Sequence, residues 1–545
     1  MDGSANREIT RREQLRLRLT RLGIWLKENK IWAATLMALA VCWVAIHQAL
    51  VPYLVEDSYI HFRVAENLAR HGAPYFNPGE AVKTSSSTPW TLLLASHFLF
   101  VPRGLRFVAF SASLISVFGL LSFLALVKEA AGRRLLRWEI ALLALVYLAV
   151  VQVASVMLME TPLALALATA GLHAYLRRRP WCFALFALTA CTRPELVVLA
   201  GIVTLAAVVD RSMNLKRCAA WAAAGALPIC VFDLIAYRTI VPHAALAKPL
   251  IHTYPFAGTF MLTLPEALRD FHLSVLIFIV YGVAYVVLAT LPLLRLNWSR
   301  SLLRDRGVQL MLITSLAGLV IVGGYLYGRS LIFPWYRPLY MYFLFLPAVF
   351  YAARSGKLAP YLALVGAALP LLYDLGGTAL ALVDRPQEFR HFLEGARARH
   401  THKVAAQLAR AYPGAVMMTS EIGAVGFGFD GHVEDAVGIA SPGALKYHPL
   451  AVPEDRNSAA DAPVPRALVR DQRPGLLMAV DVHLDPVLRD PIRNEYVHVR
   501  HDLYEPADEQ RRLREDLLWQ NVRYLDVLVR RDLWQSRKGD GKTAR

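Results

Sequence analysis

The stretch from Ile31 to Val55 contains no Asp, Glu, Lys or Arg, and about 20 consecutive apolar residues suffice to cross a bilayer as a helix. It follows 30 residues that carry eight bases. It is too long for a signal-peptide core and has no small-x-small cleavage site, so it reads as a retained first transmembrane helix. Comparable runs recur at 107–127, 140–159, 273–294 and 308–328. Shorter or interrupted ones lie at 163–176, 181–192 with 196–209, 218–232, 338–353 and 358–373. About eleven transmembrane helices are expected. With 56% of its 545 residues hydrophobic and 19% charged, against roughly 25% charged in a soluble domain, the chain cannot close around one water-soluble core.

The charge distribution orients the spans. Residues 375–545 hold 24 bases and 24 acids, so the formal net charge of +17 belongs wholly to the apolar part. With the N-terminus inside, the alternate loops 1–30, 128–138, 177–179, 210–217, 295–306 and 354–357 are all net basic and together account for that excess. Lys and Arg are retained on the cytoplasmic side. The basic balance is thus a topology signal, and no groove-reading motif accompanies it that would suggest nucleic acid. The five cysteines lie in or beside apolar runs and form no C-x-x-C pair, which excludes a disulfide frame or a Cys-ligated zinc in the polar part.

Three regions follow: a cytoplasmic basic N-terminus (1–30), a transmembrane domain (31–376) whose first external loop is 56–104, and an extracytoplasmic α/β domain (377–545). In the last, GAVMMTS, GLLMAVDVHL, EYVHV and VRYLDVLVR read as strands, with helices near 386–411 and 508–520. GAVGFGF lacks the context of a phosphate loop or dinucleotide site. His391, His400 and His402 fit no standard metal spacing, and the tail QSRKGDGKTAR is expected to be disordered.

Acids and bases without a topological role collect on the external side. Glu56 and Asp57 stand where the first span ends, and ionisable groups at that depth are costly and tend to be functional. Ile60, Val64, Ala65 and Leu68 recur at helical spacing, with Arg63, Glu66, Asn67 and Arg70 on the other face, so Ser58 to Arg70 reads as an interfacial amphipathic helix. Further along come Glu160 in METP, Arg193 and Glu195 in TRPE, Tyr237, His243 and Lys248 in YRTIVPHAALAK, and Tyr336 and Arg337 in PWYRP. A carboxylate at a membrane surface can act as general base toward a hydroxyl, and fixed cations can neutralise a phosphate leaving group. Those are the requirements for moving a sugar from a lipid phosphate to an alcohol.

EDSYIHFRVAENLARHGAPYFNPGEAV, with METP, TRPE, the Tyr237 to Lys248 segment and FPWYRP following in order, resembles the GT-C glycosyltransferases that use polyprenyl-phosphate sugars. Within them it is similar to the mycobacterial arabinofuranosyltransferases that add terminal β-(1→2) residues. EIGAVGFGFDGHVEDAVGIASP is similar to the family's glycine-rich external stretch. Glu56 stands where the family has Asp, His243 where it has Asn, and KTSSSTPW departs from its usual Asn-Pro-x-Trp.

The resemblance implies a GT-C fold, Asp57 as catalytic base, and a donor and acceptor site lined by Glu56, Glu160, Arg193, Glu195, Tyr237, His243, Lys248, Tyr336 and Arg337. The expected activity is inverting transfer of a sugar, D-arabinofuranose, from a polyprenyl phosphate to an extracytoplasmic glycan, glycolipid or protein, by a multi-pass enzyme of the inner (plasma) membrane. No metal ligand set or cofactor is required, a divalent cation being left open. The alternatives are transfer of lipid-linked mannose or aminoarabinose, and a lipid-sugar transporter or flippase, which would favour inverted repeats and a midplane site.

Overall fold

The computed structural model describes residues 30–210, 213–251, 259–261, 263–265, 268, 275–294, 305–329, 332–450, 463–504 and 524–539. The basic segment before residue 30 and the helix expected at 508–520 lie outside them.

Each apolar run folds as a helix, and five helices among the described residues are long and apolar enough to cross a membrane: Leu105–Ala131, Arg137–Val156, Leu215–Tyr237, Arg306–Tyr327 and Leu358–Val383. The Arg337–Ser355 helix runs through their middle with nearly every side chain buried. The outward faces expose large apolar residues such as Phe118, Leu227 and Ile235, a surface suited to lipid rather than water.

The first helix, Lys30–Leu50, passes through a short 3-10 turn at Val51–Tyr53 and bends by 91° into the Glu56–His71 helix. Pro52 supplies the break, since it has no N–H to continue the ladder. Asp57 sits at this corner. The region 181–209 is two helices, Cys182–Thr192 and Val197–Asp210. They part at Arg193, which the following Pro194 holds in extended backbone (φ −139°, ψ 108°). At the far end of the bundle the basic loops meet one another, with Arg177 on Glu129, Arg306 on Asp210 and Arg354 on Asp305.

The C-terminal module is a five-stranded mixed sheet in the order β2-β1-β3-β5-β4: β1 Met417–Thr419, β2 Val433–Asp435, β3 Leu476–Val480, β4 Tyr496–Asp502 and β5 Tyr524–Arg530. β1 is parallel to β2 and β3, while β5 runs antiparallel to β3 and β4. Two expectations need correction. The strand read through DVHL ends at Val480, and Asp481–Leu488 is a helix. Part of the tail expected to be disordered is ordered, because the Arg531–Gly539 helix packs Leu533 and Trp534 on the sheet.

The Glu56–His71 helix does not lie with one face in water. Its apolar side packs with Trp90, Leu94, Ala424 and Phe427, and its polar side is roofed by the C-terminal module. Buried Arg63 donates to the carbonyls of Phe76 (2.7 Å), Phe429 (2.9 Å), Gly431 (2.6 Å) and Gly426. The Asn77 side chain accepts from Val433 N (3.0 Å) and donates to Val433 O (2.9 Å). The glycines of GAVGFGF serve this contact: a Cβ on Gly423 would lie 1.9 Å from Glu56 O, and one on Gly426 2.5 Å from the Phe76 ring.

Candidate active site

Asp57 occupies the first turn of its helix, where the aligned peptide dipoles favour a carboxylate. Trp335 Nε1 donates to its Oδ2 at 3.2 Å. Burial raises the Asp57 carboxyl above the ordinary range, with Lys248 and His61 pulling the other way. The neighbouring Ser58 hydroxyl donates to Met157 O at 2.5 Å. This fixes the corner against the METP turn, where Leu158 adopts a left-handed backbone (φ 55°) that a bulky residue enters only at a cost.

That turn delivers Glu160, fully buried ahead of the Thr161–Leu176 helix. Arg193 Nη1 and Ser86 Oγ (3.2 Å) donate to its Oε1, and His61 Nε2 lies 3.2 Å from its Oε2. Burial opposes charge on Glu160, but Arg193 and His61 outweigh it and hold its carboxyl well below the usual range. Arg193 also donates to Glu195 (3.0 Å), which accepts from Tyr325 OH (2.8 Å). The Arg193 guanidinium lies 4.6 Å over the Tyr336 ring, whose hydroxyl accepts from Lys248 Nζ. Asp57, Glu160, Arg193, Glu195, Lys248 and Tyr336 thus form one cluster at a single end of the helices.

Four of the expected residues are used elsewhere. Glu56 Oε1 accepts from Ala424 N at 2.9 Å and faces the C-terminal module. The Tyr237 hydroxyl donates to Pro74 O (2.7 Å), bracing the loop that follows the Glu56–His71 helix. His243 is placed by its own N–H donating to Lys83 O (2.9 Å), and its ring faces Gly438 of the C-terminal module. Arg337 is buried at the start of its helix, within electrostatic reach of Tyr285.

Sequence reasoning did not single out Trp335, His61 or the buried Lys83–Asp233 pair. Lys83 Nζ donates to Asp233 Oδ2 and to Ile240 O (2.8 Å), while Thr88 holds Asp233 Oδ1 at 2.6 Å. The charges in KTSSSTP and in the apolar run around Asp233 were the available signal, since an unpaired charge there would be prohibitive. Lys248 differs from the other cations: among the described residues no carboxylate lies within ion-pair distance, so it keeps its charge available to an anion while donating to Tyr336.

No family model matches the chain. It is 28% identical over 220 residues to a terminal β-(1→2)-arabinofuranosyltransferase of Mycobacterium tuberculosis; this match covers 36% of this chain and spans about a third of the relative's length (35%). The crystal structure of ArnT from Cupriavidus metallidurans bound to undecaprenyl phosphate superposes with a TM-score of 0.52 at 12% identity, over 93% of this chain and 99% of that one. Agreement over nearly the whole of both chains at so low an identity is agreement of fold: this chain has the GT-C architecture.

Proposed function

We propose that the protein is an inverting glycosyltransferase of the inner (plasma) membrane, moving a sugar from a polyprenyl phosphate to a hydroxyl of an extracytoplasmic glycan, glycolipid or protein. D-Arabinofuranose is the sugar favoured by the mycobacterial relative. Asp57 takes the acceptor hydroxyl's proton, the oxygen attacks the anomeric carbon, and the bond to the phosphate oxygen breaks to release the polyprenyl phosphate. Lys248 meets the charge that develops on that phosphate, positioned by Tyr336. Arg193 is already shared by Glu160 and Glu195, and it acts by orienting Tyr336 and Glu160. The basic loops gathered at the opposite end support placing this site and the C-terminal module outside the cytoplasm.

The observation that carries the reading is Asp57 at the 91° corner, held by Trp335 and within electrostatic reach of Lys248, which among the described residues has no carboxylate at ion-pair distance. A transporter finds less support, because the cluster sits at the helix ends rather than at mid-depth. The test is transfer of labelled sugar from polyprenyl-phosphate donors by purified protein. Asp57→Asn should reduce it by roughly 10²- to 10⁴-fold, the usual worth of a general base, and a wild-type rate in that variant would refute the assignment. Mass spectrometry of the lipid-linked sugar consumed identifies the donor.

A further inference from the structure

Glu160 stands at one end of the Thr161–Leu176 helix; at its other end, away from Asp57, this helix and Leu105–Ala131 border a cavity of about 310 Å³. Phe118 and Ser122, one turn apart, line it from one helix, and Ala170, Ala174 and Arg177 line it from the other. At 1.5 Å per residue the wall changes from Ala170 to Arg177 over about 10 Å. The floor is therefore apolar and the mouth cationic. Phe118 and Trp181 are exposed on the outer surface of the bundle, so the open side of the cavity faces lipid.

The turn after Leu176 builds the mouth. Arg178 N donates to Tyr175 O and Arg179 N to Ala174 O, both at 2.9 Å, and Arg178 takes a left-handed backbone (φ 55°). Helices that end this way usually place glycine there. Here the turn carries three exposed arginines in a row and brings Arg179 and Trp181 onto the cavity. Glu129 occupies Nε and Nη2 of Arg177. Arg179 has no carboxylate at ion-pair distance among the described residues, and none of them that lines the cavity is acidic. Retaining a loop in the cytoplasm needs only its charge; an apolar cavity beneath that charge calls for a ligand with both characters. We propose that the cavity holds one anionic phospholipid of the leaflet at that end, its phosphate against Arg179 and Arg177 and an acyl chain over Phe118 and Ala170. Basic pockets between membrane helices take such headgroups.

The test uses the purified full chain, stripped of lipid in detergent. It is titrated with phosphatidylglycerol, with phosphatidylcholine of the same acyl chains and with inorganic phosphate, and binding is counted by native mass spectrometry. One phosphatidylglycerol should bind per chain, about tenfold more tightly than phosphatidylcholine, and inorganic phosphate should not displace it. Arg179→Gln should weaken phosphatidylglycerol about fivefold, the worth of one base near a membrane surface. It should leave melting of the lipid-free protein unchanged, because the side chain is exposed and has no partner. Ala170→Leu narrows the floor and should weaken both lipids. Arg134→Gln removes an exposed base at the same end but outside the cavity, and should bind as wild type. An equal loss in Arg134→Gln and Arg179→Gln would reduce the effect to general surface charge and overturn the site. Equal affinity for the two lipids, displacement by inorganic phosphate, or unchanged binding in Ala170→Leu would overturn the assignment to an anionic lipid.

Discussion

Gly423→Ala is the smallest perturbation that tests how the C-terminal module controls the base. The added Cβ would stand 1.9 Å from the carbonyl oxygen of Glu56 and 2.7 Å from its carbon. Ordinary contact begins near 3.4 Å, so about 1.5 Å must be opened between two backbones, neither of which can rotate away. Overpacking of this kind costs about 1–3 kcal/mol. Glu56 precedes Asp57 directly, and a misplacement of about 1 Å at a reacting group costs on the order of 100-fold in rate. The variant should therefore fold, melt a few degrees lower, and transfer sugar about 100-fold more slowly. Gly443→Ala, whose Cβ meets nothing within 4 Å, should match wild type on both measures. Labelled-sugar transfer and thermal melting in detergent read the two effects together. A Gly423→Ala protein with wild-type rate and melting temperature would show that the packing between the module and the Asp57 corner does not set the base.

Trp335→Phe keeps the stacked ring on Phe333 but removes the 3.2 Å hydrogen bond to Asp57. A bond to a charged group contributes about 1.5–3 kcal/mol, so kcat should fall at least about tenfold. Because that bond favours the ionised form, its loss should also move the acid limb of the pH–rate profile upward. In the C-terminal module, burial raises Asp435 to about 6 and lowers His483 to about 4. Between pH 4 and 6 folding takes up a proton at Asp435 and releases one at His483, so the two contributions to stability cancel and melting should vary little. His483→Gln leaves only the Asp435 contribution, which is fully present below pH 3.8 and lost as pH rises through about 6. That variant should lose about 1.4 kcal/mol per pH unit across the window, and a flat profile would contradict the assignment.

The sequence shows the membrane helices and the C-terminal sheet because both rest on local periodicity, and Pro52 and Pro194 mark breaks that the chain makes. Glu160, Arg193, Lys248 and Tyr336 could be read as a group because charges and aromatic residues at span ends have few structural reasons to be there. The acidic motif was harder to divide. It reads as one functional unit, but Asp57 turns toward Trp335 while Glu56, Arg63 and Asn77 turn toward the C-terminal module. Adjacent positions on a helix point about 100° apart, so the roof decides their roles, and its position is a tertiary fact. His61 was illegible for a related reason: its partners Ser85 and Glu160 lie 24 and 99 residues away, and nothing local distinguishes it from a buried histidine on an apolar face.

The single amide of Asn77 occupies both outward backbone groups of Val433 on β2, the strand that ends the sheet. An uncovered strand edge is a template for pairing with another chain. Asn77 belongs to the loop that follows the Glu56–His71 helix and is synthesised more than 350 residues before β2. Because chains grow from the N-terminus, the cap is in place when the sheet assembles, and the membrane part acts as the sheet's intramolecular guard against self-association. The C-terminal module produced alone would lack that guard and should oligomerise through β2.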